Sequence, residues 1–392
     1  MSTTPTAARD AARQRLSSRA ADVVRLSHDI HAHPEVSFEE VQASRWCAEM
    51  LSAAGYQLQY PVADLPTAFR AEIGSGPLTL GICCEYDALP DIGHACGHNI
   101  IASAAVGAGL ALAPVADDLG LKIVVLGTPA EEGGGGKIYM LERGAFDGLN
   151  AAMMVHPWPT ELLQMPCLAV THYDVHFHGR AAHASAFPER GVNAADAITV
   201  AQVAIGLLRQ HAPAGAQVHG IVTRGGQAPN IVPERAEAKY YVRARTLAEL
   251  DAWNARVERC FDAGALATGS TVEIVPQGPT YSEFVADGPL ADAYRRSAED
   301  LGRHFPDPPE HAVPASTDMA NVSLAMPAIH PTLGIDSLPA VNHQAEFAAH
   351  CISPNADKAA LDGALALAWT AIAAASETDL RAHLDKHLYR HP

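Results

Sequence analysis

Ile92-Gly93-His94-Ala95-Cys96-Gly97-His98-Asn99 lies between a nearly continuous apolar run, Leu78–Cys84, and a helical pattern of small residues over 100–113. Read as a buried strand, a loop and a helix, this stretch sets the class of the fold. A cysteine and a histidine two residues apart, flanked by glycines, can aim a sulfur and an imidazole at one cation. Borderline-soft divalent metals such as zinc accept that pair. The helix that follows brings the positive end of its dipole to Cys96, which favours the thiolate. Taken alone, a cysteine near a histidine is more often structural than ligating, so the rest of the chain has to decide.

The same texture repeats on both sides. Residues 8–33 read as a helix with Ala11, Leu16, Val23, Val24, Leu26 and Ile30 at its apolar positions, stopped by Pro34, and 39–54 as a second helix ended by Gly55. Strand-like runs follow at 68–73, Leu78–Cys84, 121–127 and 151–155, with a helix at 137–142 between the last two. Strands alternating with helices predict an open α/β sheet, whose ligands bind beyond the carboxyl ends of its strands. Asp87, Glu131, Glu132 and His156 each fall just past a strand end, and the Cys96 loop lies between two of those strands. Ionisable residues gathered at one rim of a buried sheet mark a site.

From about Tyr173 the pattern changes. Residues 173–178 alternate like a half-exposed strand, and a helix at 193–210, strands at 218–223 and 236–244, a helix from 248 to about 263 and a strand at 271–275 follow. A βαββαβ order predicts a compact inserted domain with antiparallel pairing. The expected division is 1–172 and 282–392 for a catalytic α/β domain and 173–281 for the insertion. After it come helices at 290–301 and 359–374, with a loop at Pro306-Asp307-Pro308-Pro309.

Composition narrows the class. The chain has 392 residues, 48% hydrophobic and 18% charged, which suits two globular domains with sizeable cores. A net charge of −17 argues against nucleic acid or an anionic membrane surface as partner. Seven scattered cysteines (Cys47, Cys83, Cys84, Cys96, Cys167, Cys260, Cys351) make no disulfide framework and suit a reducing cytoplasm. The first twenty residues are polar and arginine-containing, unlike a secretory signal, and no uninterrupted apolar run is long enough to span a bilayer.

Each candidate residue has a plain alternative. Glu131 and Glu132, adjacent on a glycine-rich loop, cannot easily point the same way: one suits a metal and the other a general base, unless both belong to a solvated loop tip. Gly133 to Gly136 with Lys137 does not have phosphate-loop spacing, and it places two carboxylates where the anion would sit. His156 alone is more often a satisfied structural histidine. His343, in Asn342-His343-Gln344-Ala345-Glu346-Phe347, could be a surface residue. Together Cys96, His98, Glu132, His156 and His343 would suffice for two metal ions.

Glu85-Tyr86-Asp87-Ala88-Leu89-Pro90, His94-Ala95-Cys96-Gly97-His98-Asn99 and Gly127-Thr128-Pro129-Ala130-Glu131-Glu132-Gly133-Gly134-Gly135-Gly136-Lys137 resemble the aminoacylase/carboxypeptidase family of co-catalytic metallopeptidases. Within it they are most similar to the amidohydrolase subfamily, in the branch of p-aminobenzoyl-glutamate hydrolase and β-alanyl-lysine dipeptidase. The resemblance covers most of the chain. It implies a central mixed sheet flanked by helices, with the insertion as a lid and dimerisation domain. It implies Cys96, His98, Glu132, His156 and His343 as metal ligands, Glu131 as general base and Asp87 as a carboxylate supporting the metal site from behind. Up to two divalent ions per chain are expected, zinc first, with manganese or cobalt as alternatives. In Gly179-Arg180-Ala181-Ala182-His183-Ala184-Ser185 it implies that His183 reaches a substrate carbonyl in the partner subunit of a homodimer. Asn230 in Pro229-Asn230-Ile231-Val232-Pro233 and Arg243 in Tyr240-Tyr241-Val242-Arg243 match substrate-holding positions, although Arg243 also reads as a surface strand residue. Ser316-Thr317-Asp318-Met319-Ala320-Asn321 is similar to the same branch, without an assigned role.

Two positions depart from the wider family. Glu85 stands where many relatives outside the subfamily have a metal-binding histidine, and Asn99 where much of the subfamily has aspartate. The expectation is a cytoplasmic, metal-dependent amidohydrolase acting on an N-acyl amino acid or dipeptide-like amide with a free carboxylate. The alternatives are a deacylase with a long or aromatic acyl pocket and a metal-bearing binding or regulatory protein without turnover.

Overall fold

The structure, a computed structural model, describes residues 4–306 and 315–392. It opens with α1 (Pro5–Ala32), three residues earlier than the apolar pattern alone predicts. Thr4 caps it by accepting the Ala7 N–H, and Pro5 takes the first helical position, where a missing N–H costs nothing. Then come α2 (Val41–Ser52), β1 (Gln57–Gln59), β2 (Phe69–Ile73), β3 (Leu78–Cys84), α3 (His98–Leu112), β4 (Leu121–Gly127), α4 (Gly136–Glu142), β5 (Ala151–Met153) and β6 (His156–Trp158). The exposed β1 carries no apolar alternation, so the sequence does not announce it.

These elements build one sheet in the order β1-β2-β4-β3-β5-β11, where β11 (Ala328–Ile329) comes from the far end of the chain. Strands β4, β3, β5 and β11 run parallel, while β2 and β1 add an antiparallel edge. The sheet is therefore mixed, and helices cover it as expected. Every residue of α3 is buried, because its alanines and glycines let neighbours approach on all sides. A Cβ on Gly107 would sit 2.8 Å from the Cβ of Ala364.

The chain forms two compact units, Met1–Pro166 with Phe284–Pro392, and Cys167–Glu283. The second holds β7 (Ala169–His178), α5 (Ala194–Leu208), β8 (Gln217–Arg224), β9 (Arg235–Ala244), α6 (Leu247–Thr268) and β10 (Thr271–Pro276). Its sheet runs β10-β7-β9-β8, antiparallel throughout, and one face packs on α5 and α6 around Phe177, Trp253 and Phe261. It begins upstream of Tyr173, where the alternation starts, because the first residues of β7 are all buried and show no alternation to read.

The first unit resumes with α7 (Gly288–Glu299), α8 (Met319–Ala325), β11, β12 (Thr332–Gly334), α9 (Ala345–His350), α10 (Pro354–Ser376) and α11 (Thr378–Leu384). Residues 307–309 of the expected loop lie outside the described residues. β12 pairs in parallel with β6, so the segment from His156, which reads in sequence as a strand end, is a separate short ribbon at the rim. Among the described residues α10 alone is long and apolar enough to cross a membrane. It is mostly buried, against α1, α3 and α7.

Candidate metal centre

The carboxyl ends of β3, β4 and β5 deliver the site. Asp87 follows β3, Glu131 and Glu132 follow β4, His156 opens β6 just beyond β5, and His98 is the first residue of α3. Gly97 caps α3 with φ 80°, and a Cβ there would lie 2.5 Å from Pro157 Cγ. Only glycine allows this approach. It brings Cys96 Sγ to 3.6 Å from His156 Nε2. His343, itself at φ 69°, donates its N–H to the Ala95 carbonyl at 2.8 Å, which ties its distant loop to the Cys96 loop.

Three overlapping groups of ligand atoms result, each within 4.8 Å: Cys96 with His98 and His156, Cys96 with Glu132 and His343, and His98 with Glu131 and Glu132. His98 Nε2 lies 3.9 Å from both Glu131 Oε2 and Glu132 Oε1, and His343 Nε2 lies 3.5 Å from Glu132 Oε1. The two glutamates thus converge on one nitrogen, against the expectation that they point apart, and only Glu132 continues to His343. The left-handed backbone at Ala130 (φ 59°) and Gly133 (φ 83°) flanks the pair. His343 is the open side of the cluster, its side chain 57% exposed.

Hydrogen bonds fix which atoms face inward. His98 Nδ1–H donates to Asp87 Oδ1 at 3.0 Å, leaving Nε2 free, and His156 Nδ1–H donates to the Pro157 carbonyl at 2.8 Å, leaving its Nε2 toward Cys96. Burial, with His98 next, lowers His156 to about 3, so its imidazole is neutral. Burial pushes Asp87 up, but His98 and the Glu132 N–H outweigh it and hold the carboxyl at about 2. Burial raises Glu131 well above the usual carboxylate range, and Glu132, Glu85 and Asp318 add to it. The Cys96 thiol is also raised, by burial and then by Glu132, so the dipole of α3 does not suffice to give the expected thiolate. A thiolate here needs a cation beside it.

The residues fit a divalent metal. His98 Nε2 and Glu132 Oε1 are buried ligand atoms without a hydrogen-bond partner, facing each other at 3.9 Å. Unpaired buried polar atoms are costly, and a cation between them would remove that cost. Sulfur, imidazole and carboxylate together are the donor set of zinc and its neighbours.

His183, Asn230 and Arg243 belong to the second unit. His183 is exposed, and its Nδ1 accepts the N–H groups of Ser185 and Ala186 at 3.3 and 3.2 Å, which leaves the proton on Nε2. Asn230 is exposed, and its carbonyl accepts the Ala184 N–H at 3.0 Å. Arg243 lies part-buried on β9, next to Tyr241, which stacks on His172 at 3.9 Å. Sequence reading assigned no role to four buried groups near the site: Glu40, Lys137, Asp318 and His330. Lys137 forms ion pairs with Glu85 and, at 2.7 Å, with Asp318. Glycines followed by Lys137, and Asp318 in its own motif, were the available signals, but neither names the other as its partner.

Residues 84–367 match the model of Peptidase family M20/M25/M40. The chain is 39% identical to the Xaa-Arg dipeptidase of Mus musculus over 380 residues, covering 92% of this chain and 87% of that one. It is 33% identical to a subunit of the p-aminobenzoyl-glutamate hydrolase of Escherichia coli over 269 residues, 63% of this chain and 56% of that one. The YXEP protein of Bacillus subtilis, a dinuclear metal binding peptidase, shares the fold with a TM-score of 0.64 at 20% identity, over 90% of this chain and 98% of that one. The chain belongs to Peptidase family M20/M25/M40 and is a metal-dependent hydrolase of amide or peptide bonds.

Proposed function

We propose that the protein cleaves the amide bond of a dipeptide or N-acyl amino acid that carries a free carboxylate, with Cys96, His98, Glu132, His156 and His343 holding up to two divalent ions. The observation that carries this reading is the adjacent glutamate pair: both carboxylates reach His98, but only Glu132 also reaches His343. That difference supports Glu132 as a ligand and Glu131 beside it as a base. Charge supports two ions. Glu85, Asp87, Glu132 and Asp318, with Glu131 and the Cys96 thiol able to ionise beside a cation, crowd one region whose single buried ammonium is Lys137, among the described residues. Zinc suits the thiol and imidazoles best, with manganese or cobalt as alternatives.

When bound, such ions acidify water and polarise the scissile carbonyl. Glu131, shielded from solvent and ionised once a cation lies beside it, would accept the proton of the attacking water and return it to the leaving nitrogen. In a dimer His183, with its proton on Nε2, would donate to the substrate carbonyl oxygen in the partner subunit as charge develops there. Arg243 would offer a planar fork for the substrate carboxylate, and Asn230 an amide for holding substrate.

The two named relatives favour a dipeptide or an aroyl-amino acid as substrate. We propose a homodimer formed through the second unit, supported by its edge strand β8, which pairs only with β9 and exposes Ile221 and Val222. Seven free, buried thiols support a cytoplasmic location. The test is hydrolysis of a panel of arginine- and lysine-ending dipeptides, N-acyl amino acids and p-aminobenzoyl-glutamate, by chelated and by zinc-, manganese- or cobalt-loaded protein. Cleavage only by loaded protein supports the reading, and full activity in a metal-free preparation sinks it.

A further inference from the structure

The loop that carries the glutamate pair contains four consecutive glycines, Gly133 to Gly136, and a chain of glycines does not hold a carboxylate in place by itself. Three buried acids do it from outside. Glu40 Oε1 accepts the Ala130 N–H at 2.8 Å, Asp87 Oδ2 accepts the Glu132 N–H at 2.9 Å, and Asp318 Oδ2 accepts the Lys137 N–H at 2.9 Å. The acids come from the start of α2, the end of β3 and the start of α8, and grip the loop at both ends and in its middle.

Asp318 makes the most elaborate of the three grips. While Oδ2 takes the Lys137 main chain, Oδ1 lies 2.7 Å from Lys137 Nζ, and the same ammonium pairs with Glu85. All three side chains are completely buried. The second oxygen of Glu85, Oε2, stands 3.7 Å from His98 Nε2. One lysine therefore connects the end of the glycine loop, the residue directly after β3, the start of α8 and the inward face of His98. A buried ion-pair network of this kind adds little stability over an apolar replacement, so stability alone does not account for it.

We propose that Lys137, clamped between Asp318 and Glu85, is a positioning residue that fixes Glu131 for proton transfer. It acts from behind the loop, through the hydrogen bonds that immobilise the end of the glycine run. A displacement of about 1 Å in a catalytic group costs on the order of a hundredfold in rate. The proposal rests on the hydrolase reading above.

Asp318→Asn and Asp318→Ala test it, because asparagine keeps one of the two acceptors and leaves the Lys137–Glu85 pair neutral, whereas alanine keeps none. Rates are read on the panel member that the wild type cleaves fastest. Cobalt content and the thiolate–cobalt absorption of the apo-protein titrated with cobalt are read in parallel. The expected result is a graded loss of kcat, about tenfold for Asp318→Asn and about a hundredfold for Asp318→Ala. KM stays within about twofold, and cobalt stoichiometry and spectrum stay as in the wild type. Folded variants with wild-type kcat overturn the proposal, as does a kcat loss that follows cobalt loss. If Asp318→Ala does not fold, Asp318→Asn alone decides by the same criteria. A wild type that cleaves no panel member sinks the hydrolase reading itself, whereas an active wild type with an unaffected Asp318→Asn sinks only the role of the clamp.

Discussion

Asp87 stands behind His98 with its two oxygens divided: Oδ1 takes the His98 Nδ1–H at 3.0 Å, and Oδ2 takes the main-chain N–H of Glu132 at 2.9 Å. One carboxylate thus orients an imidazole and anchors the neighbouring acidic loop. Removing the charge leaves shape intact but weakens both bonds. Asp87→Asn is expected to lower metal affinity about ten- to a hundredfold, the usual cost of losing such a partner. Competition with a chromophoric chelator measures it, and an unchanged affinity would remove Asp87 from its supporting role.

Glu131 and Glu132 separate by metal rather than by rate. Glu131→Gln is expected to keep its metal and lose several orders of magnitude in kcat, because the amide takes up no proton. Glu132→Gln is expected to lose metal first, since its Oε1 faces both His98 and His343. Elemental analysis of the two purified variants beside their rates decides. Equal metal content with equal activity in both would mean that the roles are wrongly assigned.

The fold was legible where burial leaves a long signature. Leu78–Cys84 and Leu121–Gly127 are continuous apolar runs because both faces of those parallel strands are covered, so their ends, and the acids just past them, stand out in the sequence. The ligand types at the rim were legible for the same reason. Less legible were features set by distant partners. The triplet Gln57–Gln59 is a strand only because β2 offers it an edge, and Lys137 is a buried ion-pair residue only because Glu85 and Asp318 meet there. In sequence it follows four glycines and opens a helix, with nothing to mark it as buried. His330 shows the same limit. It lies beyond β11, its ring 5.4 Å from that of His156, and a two-residue strand gives no periodicity to place it.

The edge strand β8 carries a prediction about assembly. Ile221 is 64% exposed on a strand with one free edge, and Leu207 on α5 is 72% exposed. Natural proteins seldom leave such an edge open, and a second copy would close it. Ile221→Lys is expected to turn a dimer into a monomer without unfolding it, as read by light scattering and circular dichroism. A wild type that is monomeric at micromolar concentration would remove the dimer proposal.

Glu40 makes stability depend on pH in a direction opposite to Asp87, whose carboxyl is held low. Its side chain is completely buried and accepts from the Phe38 and Ala130 N–H groups at 2.9 and 2.8 Å and from the Thr67 hydroxyl at 2.8 Å. Burial, and next Asp87, raises its carboxyl from 4.5 to about 7 despite these bonds. Between those two values the folded chain therefore holds a proton that the unfolded chain has lost. By linkage, stability falls as pH rises through this window, and the penalty is complete above about 7. The shift corresponds to on the order of 3 kcal/mol. Glutamine cannot titrate and keeps an acceptor for the two N–H groups, so Glu40→Gln is expected to escape the penalty. Melting temperatures at pH 5 and pH 8 should show the variant gaining on the wild type as pH rises, by several degrees for each kcal/mol recovered in a small domain and less in a chain of this size. A wild-type-to-variant gap that stays the same at both pH values would mean that Glu40 is ionised throughout and that its three hydrogen bonds outweigh its burial.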